Sequence, residues 1–379
     1  MIPEQVFNQL DRLPAHPTYL YDLDGLEKHV QKVKTALGKV EVLYAAKANP
    51  DPRILQAVFP HVDGFEVASG GELSHVHQHF PQASLAFGGP AKLTSDLKLA
   101  LEKGIQRIHV ESPAELQKLA LLARELQCTA HVLLRANLNL KIEGVPLAMG
   151  GRPSPFGMDE TLLESCLPIL KQHPELHCHG IHAHLASGLK DAETHLHLLS
   201  GVMDWFRGFI SQHRLDWQEL NLGGGMGVDY QTRKPYDWHT LGEGLHQVKD
   251  LKLRIEPGRS LVASCGYYAT PILDIKSSHG ETFVIVQGGT HHFRTPAAQN
   301  HSHPFQIKPM HAPEVQNCTV NVVGQLCTPK DRLSTAVQVQ GAAVGDWVVF
   351  PLAGGYAWNI SHTAFLMHPE PNFVYLQNL

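Results

Sequence analysis

Eight short apolar runs, each followed by a segment with helical spacing, constrain the fold of this chain most strongly. They are VEVLYAAKA (40–48), GFEVAS (64–69), SLAFGG (84–89), RIHVES (107–112), HVLLRAN (131–137), CHGIHAHLAS (178–187), ELNLGGG (219–225) and KLRIEPG (252–258). Strands that alternate with helices form parallel sheets, and eight such units suffice to close a (β/α)8 barrel. An open, doubly wound sheet is the alternative, which the count of eight disfavours without excluding.

After about residue 258 the pattern changes. The stretches ETFVIVQGG, CTVNVVGQLC and STAVQVQGAAVGDWVVF alternate apolar and polar residues between Gly, Pro and Asn turns, without a long helical segment. This pattern is typical of antiparallel strands. We therefore predict a barrel over residues 25–255 and a β-domain over 256–379. Residues 1–24, which contain PTYLYDL, are expected to add a strand to the second domain.

Composition and charge exclude several classes of protein. Of 379 residues, 43% are hydrophobic and 18% charged, which indicates a globular chain, and a net charge of −5 argues against a nucleic-acid partner. The N-terminus lacks a secretory signal pattern, and no apolar run approaches the ~18 residues of a membrane span. The six cysteines include no CxxC pair. We expect a reduced, cytoplasmic protein that is not bound to membranes.

The carboxyl ends of barrel strands form the working face of this fold, and here several of those ends are polar. Lys47 closes the run VEVLYAAKA, although burying an unpaired ammonium is costly. Its side chain either extends from the barrel mouth into water or serves as the amine of a Schiff base. Strand-end residues of the same kind are Glu66, Ser69, Arg135, His184, Ser187, Glu256 and Arg259.

Each of the remaining motifs has both a structural and a functional interpretation. NLGGGMGVDY is either a strand-to-helix turn or a phosphate site built from backbone N–H groups, and its glycines lack the G-x-G-x-x-G spacing of a dinucleotide site. Glu256 and Arg259 in RIEPGRS form either a surface ion pair or partners for a ring nitrogen and a phosphate. His184 either packs in the core or stacks on a planar ligand.

The histidines of HVHQH, residues 75, 77 and 79, resemble metal ligands in spacing. No carboxylate or cysteine completes a ligand set, so we expect an exposed helix there and no metal. A lysine, a phosphate cradle, an acid for a ring nitrogen and a stacking histidine, all on strand ends, together indicate pyridoxal phosphate.

These motifs resemble the fold-type III pyridoxal-phosphate decarboxylases, which include diaminopimelate and ornithine decarboxylases and, more distantly, alanine racemase. The resemblance covers nearly the whole chain and implies the alanine racemase-like architecture. YAAKANP resembles the Schiff-base motif, and HLAS resembles His-x-Gly-Ser with Ala186 in place of glycine. The resemblance implies as cofactor-binding residues Lys47, His184, Ser187, Gly223, Gly224, Gly225, Glu256, Gly258, Arg259 and Tyr356.

The second half carries the motifs nearest the substrate. GQLCTPKDRL resembles the family's cysteine motif, which implies Cys327 as an acid–base residue and Asp331 as a substrate neighbour. Arg294 in HHFRTP is either a clamp for a substrate carboxylate or a surface arginine. In the family the cysteine reaches the cofactor of the other subunit, so the resemblance implies a homodimer with shared active sites.

Two residues bear on the reaction. Alanine racemase places an arginine on the ring nitrogen, so Glu256 favours decarboxylation over racemisation. Family members that act on amino acids usually carry an acidic residue after the cysteine to meet a distal ammonium, whereas this chain has Thr328, followed by Pro329 and Lys330. An anionic distal group therefore fits better.

The tail GGYAWNISHTAFLMHP and LCTPKD resemble the branch that serves carboxylate siderophores of the staphyloferrin B and achromobactin type. That branch decarboxylates citryl-diamino acids such as citryl-diaminopropionate. Diaminopimelate decarboxylase is the close alternative, and an amino-acid racemase is a weaker one. A cofactor carrier or inactive decoy is disfavoured, because carriers lack the β-domain and a decoy would be expected to lose Lys47 or Cys327.

Overall fold

A computed structural model describes residues 2–140, 153–295 and 300–377. Its strands are β1 (Thr18–Asp22), β2 (Glu41–Ala45), β3 (Gly64–Val67), β4 (Leu85–Phe87), β5 (Arg107–Val110), β6 (Ala130–Arg135), β7 (Leu176–His182), β8 (Glu219–Asn221), β9 (Lys252–Ile255), β10 (Gly266–Ser278), β11 (Glu281–Val286), β12 (Gln306–Lys308), β13 (Val315–Val323), β14 (Arg332–Ala342), β15 (Trp347–Pro351) and β16 (Asn372–Leu376).

The helices alternate with the first nine strands. They are α1 (Glu4–Leu10), α2 (Leu23–Leu37), α3 (Pro52–Val58), α4 (Gly70–His79), α5 (Thr94–Glu102), α6 (Pro113–Glu125), α7 (Glu160–Gln172), α8 (Ala192–His213), α9 (Trp238–His246) and α10 (Arg259–Val262). Helix α6 begins at an N-cap: the Ser112 side chain accepts a hydrogen bond from the Glu115 N–H, and Pro113 occupies the first turn.

Strands β2 to β9 form a closed parallel barrel, which confirms the predicted fold. All eight predicted barrel strands are present, and most end earlier than the apolar runs do. Strand β2 ends at Ala45, whose N–H donates to the carbonyl of Pro257. The chain then enters a 3-10 turn at Ala46–Ala48. Lys47 therefore lies on a turn at the barrel mouth and not within a strand.

The remaining strands form a sheet in the order β12-β15-β10-β11-β13-β14, and β1 pairs with β10 and β16. Most pairs are antiparallel, as predicted, whereas β11–β13 and β1–β16 are parallel. The sequence patterns do not predict β10, because its first half is continuously buried and it contains Pro271. Pro271 lies opposite Trp347, the first residue of β15, where a missing ladder donor is tolerated.

The chain consists of two compact units. One comprises Glu27–Val228 and Lys234–Leu261, and the other comprises Met1–Leu26, Asp229–Arg233 and Val262–Leu379. In the second unit, α1, β1, β10, β15 and β16 share one apolar core, which contains Val6, Leu20, Trp347 and Val349. The predicted domain boundaries at residues 25 and 255 remain a prediction. Among the described residues, every helix is too short or too polar to span a bilayer.

Two helix glycines should respond oppositely to alanine. A Cβ at Gly242 in α9 would lie 2.0 Å from the Ala36 carbonyl oxygen, whereas a Cβ at Gly208 in α8 would meet nothing within 4 Å. We expect Gly242→Ala to lower the free energy of unfolding by about 1–3 kcal/mol through overpacking. Gly208→Ala should raise it by about 0.5–1 kcal/mol because alanine favours the helix. Urea denaturation measures both changes, and an unchanged stability of Gly242→Ala would contradict the close approach of α2 and α9.

Candidate active site

The barrel mouth holds a lysine–carboxylate pair. The Lys47 Nζ donates to both carboxylate oxygens of Glu66, at 2.7 and 2.6 Å. Glu66 lies on β3 and is buried, which raises the pKa of its carboxyl despite the ammonium. The Lys47 side chain remains 42% exposed. The cost of burying an unpaired ammonium does not arise, since the amine has a charged partner and access to solvent.

A second buried carboxylate follows β9. Asn221 Nδ2 donates to Glu256 Oε1 at 2.7 Å, and His182 Nε2 lies 3.2 Å from Oε2. His109 Nε2 lies 3.7 Å from Oε1, and its ring stacks on that of His182 with centroids 4.2 Å apart. These contacts surround Glu256 with imidazole and amide groups inside the barrel.

The electrostatics of this group are set by burial. Desolvation lowers the pKa of His109 strongly and that of His182 as well. Burial alone raises the pKa of the Glu256 carboxyl, but His182, His109 and Lys47 outweigh it and hold that pKa well below its usual value. Glu256 is therefore a buried anion that depends on the positive charge of these three neighbours.

His184 lies in the loop after β7, with its ring fixed from both sides. Its Nδ1 accepts a hydrogen bond of 3.0 Å from the Gly224 N–H, and its Nε2 lies 3.2 Å from Ser187 Oγ. Since Nδ1 accepts, the ring proton of the neutral form is on Nε2. Burial lowers the pKa of His184 to about 3, so the imidazole stays neutral at working pH.

The three-glycine turn after β8 admits no side chain. A Cβ at Gly223 would lie 2.7 Å from the Cβ of His184, and one at Gly224 would lie 2.7 Å from the Glu256 carbonyl oxygen. Gly225 has a φ of +114°, a conformation that residues with a Cβ rarely adopt. The bare backbone at this turn is therefore required by close packing against His184 and Glu256.

The other strand-end residues of this unit are placed as follows. Arg135 Nη1 donates to Glu111 Oε1 at 2.6 Å, and Ser69 caps α4 by accepting from the Glu72 N–H. Gly258 is half-buried, and Arg259 opens α10. The histidines of HVHQH lie on α4, where His75 Nε2 is 2.7 Å from the carbonyl oxygen of Pro50.

In the second unit, a loop between β13 and β14 presents Cys327. Cys327 is exposed and Thr328 is half-buried. Asp331 is buried, and its Oδ2 accepts from the Leu326 N–H at 2.8 Å. Its Oδ1 accepts from the N–H and Oγ1 of Thr290, at 2.6 and 2.9 Å. Asp331 thus fixes the shape of the loop that carries Cys327.

Two further predicted residues lie in the same unit. Arg294 is exposed, and its backbone N–H donates to Ser361 Oγ at 2.9 Å. Tyr356 is half-buried and has a φ of +50°. A bulky residue in the left-handed region is strained, and such strain concentrates at functional positions.

Sequence reasoning missed three residues around Glu256, namely His109, His182 and Asn221. The partnership of Glu66 with Lys47 was missed as well. Each of the three lies on a barrel strand at a buried position, where a polar side chain needs partners. A polar residue inside an otherwise apolar strand was therefore the signal that could have found them.

Comparison with known proteins decides the family. The pyridoxal-binding domain of the pyridoxal-dependent decarboxylases matches residues 23–263. A 2-[(L-alanin-3-ylcarbamoyl)methyl]-2-hydroxybutanedioate decarboxylase of Staphylococcus aureus is 37% identical, over 99% of this chain and 98% of that protein. The chain belongs to the pyridoxal-dependent decarboxylases. The predicted family, cofactor and enzyme class are thereby confirmed, and the cofactor of this decarboxylase is pyridoxal 5′-phosphate.

Two more relatives support this assignment. An L-glutamyl-[BtrI acyl-carrier protein] decarboxylase of Niallia circulans is 31% identical, over 94% of this decarboxylase and 87% of that protein. The diaminopimelate decarboxylase of Helicobacter pylori, in a crystal structure with L-lysine, is 25% identical in sequence to this chain. It superposes with a TM-score of 0.88 over 98% of this chain and 94% of the other.

Proposed function

We propose that this decarboxylase removes the α-carboxylate of citryl-diaminopropionate in the biosynthesis of a carboxylate siderophore. The observation that carries the proposal is the 37% identity, over 99% of the chain, to the Staphylococcus aureus decarboxylase of 2-[(L-alanin-3-ylcarbamoyl)methyl]-2-hydroxybutanedioate. That name describes a citrate joined by an amide to the side-chain nitrogen of diaminopropionate. The molecule has an amino-acid end, where CO2 is lost, and a distal end with two carboxylates and a hydroxyl group.

The charges of the Cys327 loop support an anionic distal group. Residues 324–330 read GQLCTPK and include no acid. Thr328 presents a neutral hydroxyl group directly after the cysteine, and Lys330 is an exposed cation. An ammonium tail such as that of diaminopimelate would find on this loop only the carboxylate of Asp331, which is buried and already accepts bonds from Leu326 and Thr290. A citrate carboxylate would find the exposed cation of Lys330. Arg294, also exposed, is a further carboxylate ligand in this proposal.

The residues of the barrel mouth fit pyridoxal phosphate at each of its polar groups. Lys47 would bind the aldehyde carbon, since its half-exposed amine is accessible and Glu66 holds it in place. The glycine turn would let the backbone approach the phosphate closely, because it carries no Cβ atoms; the N–H groups of Gly223 and Gly224 themselves donate to Asn221 Oδ1 and His184 Nδ1. We assign phosphate contacts to Ser187, Gly223, Gly224, Gly225, Gly258 and Arg259.

Glu256 would hold the ring nitrogen protonated. When bound, the cofactor supplies an electron sink for the negative charge that develops at Cα as CO2 leaves. A buried anion whose own pKa is held low does not take the proton from the ring nitrogen, so the sink stays strong. His184, whose ring is neutral and fixed by Gly224, would pack against the cofactor ring and orient it. Tyr356 would lie near the cofactor.

Cys327 would return a proton to Cα after CO2 leaves. Its exposed position on a loop suits contact with a substrate that enters from solvent. Asp331 would be a neighbour of the substrate and would act mainly by holding this loop in shape. Its Oδ2 accepts a hydrogen bond from the Leu326 N–H in the loop, and its Oδ1 accepts one from the Thr290 N–H.

We also propose that the enzyme is a cytoplasmic homodimer whose active sites are shared between subunits. All six cysteines are free thiols, in keeping with a reducing compartment, and the cysteine-motif resemblance supports sharing. Sedimentation at the mass of one chain in the active enzyme would contradict the dimer.

The test is CO2 release from citryl-diaminopropionate, diaminopimelate, lysine and ornithine by the purified holoenzyme. We expect kcat/KM for the first to exceed that for the others by at least ~10²-fold, because a site built for polar groups discriminates strongly when they are missing. Turnover of diaminopimelate without turnover of the citryl substrate would overturn the siderophore proposal. Exchange of the Cα proton without CO2 would indicate a racemase.

A Cys327→Ala variant is the internal control of that experiment. It should retain the cofactor and lose ~10²–10⁴-fold in turnover of the preferred substrate, the usual scale for removal of an acid–base group. Full activity would exclude Cys327 as the proton donor while leaving the substrate assignment intact.

A further inference from the structure

Three histidines cluster at the opposite end of the barrel from Lys47, near the starts of β6 and β7. They are His131, His177 and His179, and their ligand atoms all lie within 4.8 Å of one another. His131 and His177 are direct neighbours in the parallel register of β6 and β7. This cluster is distinct from the histidines of α4 (residues 75, 77 and 79), for which the sequence predicts no metal. The proposed reaction does not use His131, His177 or His179.

The geometry of the cluster is close to that of a ligand set. His131 Nδ1 lies 2.9 Å from His179 Nε2, and the rings of His177 and His179 stack with centroids 4.3 Å apart. Zinc binds imidazole nitrogens at about 2.0–2.1 Å, which places neighbouring ligand atoms about 3.3 Å apart in a tetrahedral site. Small side-chain rotations would bring three nitrogens to one ion.

The ring of His179 also has a carboxylate on its far side. His179 Nδ1 lies 3.7 Å from Glu219 Oε1, while its Nε2 points toward His131. A metal-bound histidine typically donates its other ring N–H to a carboxylate, which fixes its tautomer and orientation. Glu219 therefore occupies the position of a supporting group for His179 as a ligand.

The charges near the cluster permit a cation. Two arginines lie nearby, and each is paired with a carboxylate. Arg107 donates to both oxygens of Glu219 at 2.8 and 2.5 Å, and Arg254 Nε donates to Glu41 Oε2 at 2.7 Å.

We propose that His131, His177 and His179 form a binding site for a divalent transition-metal ion, with zinc as the reference ion. Three imidazoles are typical ligands for zinc, nickel and copper, and water would complete the coordination. The site joins β6 to β7 at the end of the barrel that is normally associated with stability. Its role is therefore structural, and bound metal would stabilise the folded barrel.

The test uses tag-free holoenzyme dialysed against EDTA and titrated with Zn2+ by calorimetry. We expect one ion per chain at this site, and at least a ~10-fold loss of affinity in His177→Ala and in His131→Ala. His177 is exposed, so its replacement should not impair folding or decarboxylation. His79→Ala on α4 is the matched control and should bind zinc like the wild type.

Thermal unfolding gives the second readout. Zinc at a concentration that saturates the wild-type site should raise the unfolding midpoint of the wild type and of His79→Ala, and should raise that of His177→Ala less, because the stabilisation falls as the affinity falls. Zinc affinity that is equal in the wild type and His177→Ala, or no zinc binding by the wild type, would overturn the proposal.

Discussion

Replacing Lys47 by arginine should abolish decarboxylation while leaving the fold intact. Arginine keeps a positive charge beside Glu66, whose carboxylate accepts two hydrogen bonds from the lysine. A guanidinium cannot replace the amine as a nucleophile, because it stays protonated at any working pH. We expect CO2 release to fall by ~10³-fold or more, the scale on which covalent and acid–base groups act.

Lys47→Ala removes both the positive charge and the amine, so its comparison with Lys47→Arg separates the effects of the two. This variant leaves Glu66 buried without its ammonium, and the carboxyl, whose pKa burial already raises, would take up a proton. Both variants should be inactive, and only the alanine variant should change the ionisation of Glu66. Activity within tenfold of the wild type in Lys47→Arg would show that Lys47 is not the reacting amine.

Glu256→Gln should give the second large loss, about 10²-fold in kcat with a smaller change in KM. Glutamine keeps the shape of the side chain and can still bond Asn221, which donates to Glu256 at 2.7 Å. It lacks the negative charge, so a ring nitrogen at this position would lose its proton and the electron sink would weaken. Since the loss is in the chemical step, kcat rather than KM should fall.

The matched control for Glu256 is Glu219→Gln. Glu219 lies at the start of β8, on the other end of the barrel, where it pairs with Arg107. Its replacement should reduce stability without lowering kcat by more than about threefold. Equal loss of kcat in both variants would indicate a general electrostatic effect of barrel carboxylates and contradict a specific role for Glu256.

The sequence predicted the barrel because each of its strands is a short apolar run bounded by turns. Lys47, His184 and Glu256 followed from that prediction, since they lie just beyond strand ends. Strand β10 was missed because its buried half shows no alternation and Pro271 interrupts it. A strand buried on both faces can be recognised only as a short apolar run bounded by turns, and Pro271 interrupts that run in β10.

The polar surroundings of Glu256 could not be predicted from spacing. His109, His182 and Asn221 come from three strands, and they meet only because the barrel closes. The same closure brings His131 next to His177 and His179 at the other end. Contacts between strands that are distant in sequence depend on register, which single-sequence patterns do not specify.

Borohydride reduction of the holoenzyme, followed by digestion and mass spectrometry, identifies the lysine that carries the cofactor. Reduction fixes the cofactor on the lysine that carries it, and the peptide mass identifies that lysine. We predict a pyridoxyl group on the peptide that contains Lys47 in the wild type, and its absence in Lys47→Arg. A pyridoxyl group on any other lysine, with Lys47 unmodified, would show that Lys47 does not carry the cofactor.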